Sequence, residues 1–258
     1  MMKEITALLL VSAWGWAQPA IAPPQLGFVL DGARALRPAY GLAGNFILGP
    51  AVTGTVVTAA FSGSLGLLKT DSSLAAFDAQ GKVLASLDAS PGPALFAFSP
   101  DSTSALAYIA SSGALVAWSG NAFAAVSLNS GELAADAVLA IAFPGPLEAS
   151  LIVLRKDSLW ELVLPLDTSG LISQKALTGV HAPVLVLPSG DLVYRDSAGI
   201  SIRRADASEV HIGASLPASF SLQQMSQGWV QLTCLNGSFA IRATHGSEGF
   251  YRLPEQQQ

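Results

Sequence analysis

Two sets of landmarks recur along this chain at matching intervals, and that regularity restricts the folds open to it. Short apolar runs begin near Val56, Leu95, Leu139, Val184 and Phe220, at spacings of 39, 44, 45 and 36 residues. A second set begins at Leu74, Leu115, Leu159, Ile200 and Phe239, at spacings of 41, 44, 41 and 39. The runs are short and bounded by Gly, Pro, Asp, Asn or Ser, which is the length and punctuation of strands rather than helices. Two independent landmarks keep one period, so the repeat is a property of whole structural units.

The clearest unit is Ala94 to Gly120, ALFAFSPDSTSALAYIASSGALVAWSG. Leu95–Phe98, Ala105–Ile109 and Leu115–Trp118 are three strand-length runs, separated by Ser-Pro-Asp-Ser-Thr-Ser and Ser-Ser-Gly turns, and Phe123–Leu128 supplies a fourth. A period of about 40–45 residues with four short strands is the signature of a β-propeller blade. Leu95–Phe98 and Val184–Leu187 are apolar on both faces, as an inner strand buried between neighbouring blades requires. The expected fold is all-β: a propeller of about five four-stranded blades over residues 56–253, preceded by a hairpin. In that hairpin Gly27–Leu30 and Leu36–Tyr40 flank Asp31-Gly32-Ala33-Arg34. It is placed to pair with the last blade and help close the ring, and six blades is the alternative if it belongs to a degenerate blade. Gly41 to Thr55 reads as irregular. Glu132–Ala140 has helix propensity, but Val138–Phe143 stands where the period needs an inner strand, and Pro144-Gly145-Pro146 is expected to break it. Phe98-Ser99-Pro100-Asp101 after an inner strand, followed by the Gly113-x-Leu115-x-x-Trp118 strand, resembles blades of WD-repeat and Tol-type propellers. The resemblance implies an architecture whose members mostly bind other macromolecules, and it transfers no function by itself.

At 258 residues the chain is long enough for one large all-β domain. Apolar residues make up 51% and charged residues only 12%, about half the share of an average globular protein, which argues against disorder. Net charge is −5 and the basic residues are scattered, so no nucleic-acid footprint is expected. Residues 1–17 read as a secretory signal peptide: Lys3, an uncharged apolar stretch from Ile5 to Trp16, then small residues Gly15 and Ala17 before Gln18. That stretch is too short to span a bilayer. The expected location is extracytoplasmic, periplasmic or secreted. Residues 18–55 form a Pro- and Gly-rich lead-in that includes the hairpin, and residues 254–258 a flexible tail. Cys234, the single cysteine, reads as a buried small hydrophobe and allows no internal disulfide.

Charged pairs recur between second and third strands: Lys69-Thr70-Asp71-Ser72, Arg155-Lys156-Asp157-Ser158 and Arg195-Asp196-Ser197. Such connections emerge on one face of a propeller. Lys69, Asp71, Arg155, Lys156, Asp157, Arg195 and Asp196 are therefore the candidate binding residues, although Asp and Ser in these turns also cap backbone donors. His181, His211 and His245 fall at non-equivalent positions without HxH or HExxH spacing, and no metal site is expected. No carboxylate pair, nucleophile elbow, Walker loop or GxGxxG can be nominated, and neither a catalytic residue nor a cofactor is expected. Trp118, Trp160 and Trp229 lie on expected strands and read as core. The expected function is a non-catalytic scaffold for a protein partner. The alternative is a carbohydrate-binding or hydrolytic propeller with a site built from loops of several blades, which an exposed Trp118 or Trp160 beside clustered carboxylates would favour.

Overall fold

The computed structural model describes residues 23–128, 133–168, 170–197, 199–213, 216–217 and 219–254. The segment read as a signal peptide lies outside these residues, as does the tail beyond Pro254. Six antiparallel sheets follow one another along the chain, each built from consecutive strands. Blade 1 has three: β1 (Gln25–Leu30), β2 (Leu36–Leu42) and β3 (Asn45–Leu48). Blade 2 holds β4 (Thr58–Ser62), β5 (Leu65–Lys69), β6 (Ser73–Asp78) and β7 (Val83–Asp88). Blade 3 holds β8 (Ala94–Phe98), β9 (Ala105–Ile109), β10 (Ala114–Trp118) and β11 (Phe123–Val126). Blade 4 holds β12 (Ala137–Gly145), β13 (Glu148–Arg155), β14 (Ser158–Pro165) and β15 (Ser173–Ala176). Blade 5 holds β16 (His181–Val186), β17 (Leu192–Arg195), β18 (Gly199–Arg203) and β19 (Glu209–Gly213). Blade 6 holds β20 (Phe220–Ser226), β21 (Trp229–Cys234), β22 (Gly237–Arg242) and β23 (Gly249–Arg252).

The all-β propeller is as the period demands; it has six blades rather than five, which is the alternative expected if the hairpin belongs to a degenerate blade. The sixth comes from the N-terminal hairpin, which gains β3 from Asn45-Phe46-Ile47-Leu48, within the stretch expected to be irregular. The hairpin does not add a strand to the last blade; it forms its own sheet beside it. Blade 4 corrects a second expectation. Its inner strand runs through Pro144 to Gly145, because a register shift between Ala142 and Gly145 absorbs the proline instead of ending the strand.

The inner strands β4, β8, β12, β16 and β20 run side by side around a central channel, and their first residues share one end of it. We call that end the proximal face and the other the distal face. β1 runs the opposite way. Its end, Leu30 and Asp31, stands beside Val57 and Thr58 at the proximal mouth, while its start, Gln25, lies with Phe61, Gly63 and Ser226 on the distal side. Blade 1 is thus a reversed wedge between blades 6 and 2, and β20 and β4 also touch each other.

Side chains hold the wedge. The Gln231 carboxamide docks on the main chain of Leu30: Leu30 N–H donates to Oε1 at 2.9 Å and Nε2 donates to Leu30 O at 2.7 Å. Phe46 meets Trp229 edge-on at 5.8 Å, and Phe28 meets Phe61 and Phe77 at 4.9 and 5.1 Å. Gly27 has φ +147°, and a Cβ there would stand 1.9 Å from the Met225 carbonyl oxygen, so glycine is what lets β1 approach β20. At the next joint round the ring, Arg204 is buried between blades 5 and 6. It donates to Asp191 Oδ2 at 2.9 Å and to Ala243 O at 2.5 Å, and it pairs with Glu248.

The core lies between blades rather than inside any one of them. Blades 2 and 3 share a cluster that includes Leu67, Leu74, Phe98 and Trp118, and blades 3 and 4 share Leu106, Leu115, Leu151 and Leu162. The Ser99-Pro100-Asp101 turn is a staple: Asp101 Oδ1 accepts from Ser99 Oγ at 2.6 Å and from Thr103 N–H at 3.1 Å. The hydrogen bond from Ser99 holds the Asp101 carboxyl below its ordinary pKa. Just beyond it, the buried hydroxyls of Ser102 and Ser62 meet at 2.9 Å across blades 3 and 2. Among the described residues no helix is long and apolar enough to cross a membrane.

Candidate binding face

The proximal end of the channel opens into a cavity of about 380 Å³. Leu30, Leu95, Leu139, Leu185 and Leu222, from blades 1, 3, 4, 5 and 6, line it and are each half-buried. The reason is local. Alternate residues of a strand point to opposite sides; Leu95 and Leu185 fall between residues buried against the neighbouring blades, and the channel is what remains for them to face. Blade 2 contributes Val57 and Thr58 at the same level.

Polar groups are few at this mouth. Among the described residues Asp31 is the one charged residue lining the cavity, and its carboxylate is engaged by three donors. Oδ1 accepts from Ala33 and Ala35 N–H at 2.9 and 2.8 Å, and Oδ2 accepts from Arg37 Nε at 2.6 Å. Burial works against its ionisation, but the Arg37 hydrogen bond and the two backbone donors outweigh it and hold the carboxyl below its ordinary pKa. Gln223 and Gln224 also line the cavity, and each has a buried Nε2 without a hydrogen-bond partner.

The turns between second and third strands of blades 2, 4 and 5 do emerge on the proximal face, as the antiparallel order of each sheet requires. They are not equivalent. Asp71 is exposed, but Lys69 is buried, 0% exposed, at the end of β5, where its Nζ donates to Thr70 O. Its desolvation lowers the ammonium pKa despite the nearby Asp71. Lys69 is therefore removed from the docking rim. Lys156 and Asp157 are exposed and both have positive φ, 45° and 67°, forming the two-residue turn of the β13–β14 hairpin. Arg155 beside them is half-buried and anchored: Nη2 donates to Leu133 O at 2.6 Å, Nη1 to Gln174 Oε1 at 3.0 Å, and the guanidinium lies 5.9 Å over the Trp160 ring. Arg195 ends β17, and Asp196 opens the next turn, accepting from Gly199 N–H at 2.7 Å.

Asp196 also joins a contact that the sequence did not disclose. Ser201 Oγ lies 2.5 Å from Asp196 Oδ2 and 2.6 Å from His211 Nδ1, and the same His211 nitrogen is 2.8 Å from Asp196 Oδ2. Three triad residue types meet here, but serine and aspartate share one ring nitrogen. A nucleophile relay needs them on opposite nitrogens. Ser201 is also fully buried. The cluster ties β18 to β19.

His181 starts an inner strand, His211 sits on an outer strand and His245 in the turn before β23, and among the described residues no three metal-ligating side chains converge. Trp118 is buried and Trp160 half-buried against the blade 3–4 core, so neither presents the exposed ring beside carboxylates that a sugar site would use. Cys234 departs from expectation. It is half-exposed at the end of β21, next to Leu235, which is 93% exposed.

No protein-family model matches the chain, and no curated protein sequence matches it. Among solved structures it is similar to TolB from Acinetobacter baumannii, at 16% identity and a TM-score of 0.52, over 83% of this chain and 59% of that one. The fold is a β-propeller. It is also similar to the β-propeller domain of Cps50 (Swd1) from Myceliophteria thermophila, at 10% identity and a TM-score of 0.45, over 77% of this chain and 70% of that domain. PorZ, a bacterial surface component of the type-IX secretion system of Porphyromonas gingivalis, is similar at 14% identity and a TM-score of 0.45, over 86% of this chain and 31% of that one. The propeller likeness carried by Phe98-Ser99-Pro100-Asp101 holds, through TolB, as a likeness of fold.

Proposed function

We propose that this chain is a non-catalytic binding scaffold that works outside the cytoplasm and docks a protein partner on its proximal face. The observation that carries the reading is the circle of half-exposed leucines at the channel mouth, with exposed Asp71, Lys156 and Asp157 on the surrounding turns. An apolar centre with a polar rim is the anatomy of a protein interface. Covering the leucines would contribute roughly 25 cal/mol per Å² of apolar surface removed from water. The fold shared with TolB supports a scaffold role, and the apolar segment at residues 5–16 supports export.

The test is a pull-down from an envelope extract with the mature chain, residues 18–258, against the Leu185→Glu variant, each shown to be folded by circular dichroism. The expected result is a saturable partner captured by the parent chain and lost by the variant. Equal capture by both would place docking elsewhere.

A further inference from the structure

Among the described residues blade 1 is the one sheet of three strands, and the other five have four. Its outer edge is therefore β3, which stands where the other blades carry a further strand. Backbone groups alternate in direction along a strand. Gly49 N–H donates to Pro38 O at 2.8 Å, so Gly49, and with it Ile47 and Asn45, bonds toward β2. The N–H and C=O groups of Phe46 and Leu48 then point away from the sheet, and among the described residues no strand pairs with them. Outer edges are commonly guarded by charge, and most here are: β7 ends on Asp88, β15 holds Lys175, β19 Glu209 and β23 Arg252. β11 is uncharged, but its exposed residues are alanines. β3 has no such guard. The sequence carries no charge from Pro38 to Leu68. Ile47 is 56% exposed, and Leu42, on the same face of β2, is 69% exposed.

We propose that β3 pairs antiparallel with β3 of a second copy of this chain, across a two-fold axis at Ile47, so that two copies of blade 1 form one continuous sheet. The free groups themselves set this register. With the axis at Ile47, Phe46 of each copy stands opposite Leu48 of the other, and each such pair exchanges both of its N–H···O=C bonds. Every outward group of the strand is then used. The two Ile47 side chains meet on one face, and Phe46 lies beside Leu48 of the second copy on the other. A patch that is its own complement is what a two-fold interface requires. Each copy carries a net charge of −5, but the edge is neutral and brings no like charges together. The chain's own tail is a poorer occupant. It leaves from Pro254, beside Asn45 and Phe46, on the face of blade 1 that packs against blade 6. Its residues, Glu255-Gln256-Gln257-Gln258, are all polar and offer nothing to cover Ile47 on the opposite face. This edge is the outermost strand of its blade, apart from the channel mouth, and the pairing does not depend on what docks there.

The test is sedimentation velocity of the mature chain, residues 18–258, which contains every described residue. A monomer–dimer equilibrium that shifts with concentration is expected. Ile47→Lys sets like charges opposite each other at the axis and should weaken the dimer at least about tenfold, and Ile47→Glu should do the same. Mixing the two variants should restore the dimer, as only residues that face each other across the axis can do. Ala124→Lys, on the edge of β11, should leave it unchanged. In the parent chain the Phe46 and Leu48 amides should gain protection from hydrogen exchange as concentration rises, while the Ile47 amide is protected throughout; this reading holds even if a variant fails to fold. A chain still monomeric at millimolar concentration overturns the proposal, as does a dimer that survives both Ile47 variants or is not restored by mixing them. Dimerisation that appears only when residues 255–258 are removed would put the tail on the edge and overturn it too.

Discussion

Replacing Gln231 by leucine tests how the ring closes. The carboxamide gives blade 6 one acceptor and one donor, at 2.9 and 2.7 Å, for the main-chain N–H and C=O of Leu30 in blade 1. Leucine fills similar space but leaves both main-chain groups without that partner. An unsatisfied buried group costs about 1–3 kcal/mol, and Leu30 is only half-buried, so the low part of that range applies twice, for a loss of about 2–4 kcal/mol. For a domain of this size that is a fall in melting temperature of roughly 5–10 °C. Thermal melts followed by circular dichroism give the total, and hydrogen exchange localises it: the Leu30 amide should lose protection while the blade 3 and blade 4 amides keep theirs. A melting temperature within about 1 °C of the parent would refute the claim that a polar latch holds the wedge.

Three further outcomes follow from the same geometry. Gly27→Ala should destabilise the chain by about 2–4 kcal/mol in chemical denaturation, since the added Cβ meets the Met225 carbonyl at 1.9 Å and φ is +147°; an unchanged midpoint would mean that β1 does not approach β20 so closely. Lys69→Met should leave stability unchanged or raise it by about 1 kcal/mol, because a buried ammonium held by one carbonyl is replaced by an apolar chain of similar length, and partner capture should be unaffected; a loss of capture would return Lys69 to the docking rim. Asp31 has a lowered pKa in the fold, so its contribution is present above its unfolded value and lost as pH falls through the lower folded value. Between roughly pH 5 and pH 2 the stability of the parent should fall more steeply than that of Asp31→Asn, and parallel curves would contradict this.

Much of the architecture is legible in the sequence because a propeller repeats its local chemistry. The landmarks at Leu95, Leu139 and Phe220 fall at or within two residues of observed inner-strand starts, and those at Leu115, Leu159 and Ile200 stand one residue inside observed third strands. The period outweighed helix propensity over residues 137–140, which the sheet takes into β12 by supplying partners that propensity does not count. What escaped depends on the third dimension. β3 is four residues between glycines and outside the period. The direction of β1 is set by what it packs against, not by its own residues. Lys69 reads as solvated because Thr, Asp and Ser follow it, whereas in the fold it is fully buried at the end of β5. The leucines are recognisable as inner-strand residues, but only closure of the ring shows that they face a channel. The Asp196–Ser201–His211 contact needs the register in which Ser201 stands opposite His211.

The measurement that bears most directly on the proximal face as docking surface is site-specific photocrosslinking. A benzophenone amino acid is placed at Leu185, in the channel mouth, or at Ser64, exposed in the β4–β5 turn on the distal face. Each chain is irradiated in the envelope extract. A discrete partner adduct from position 185 and none from position 64 is the predicted result. An adduct from position 64 alone, or equally from both, would contradict it.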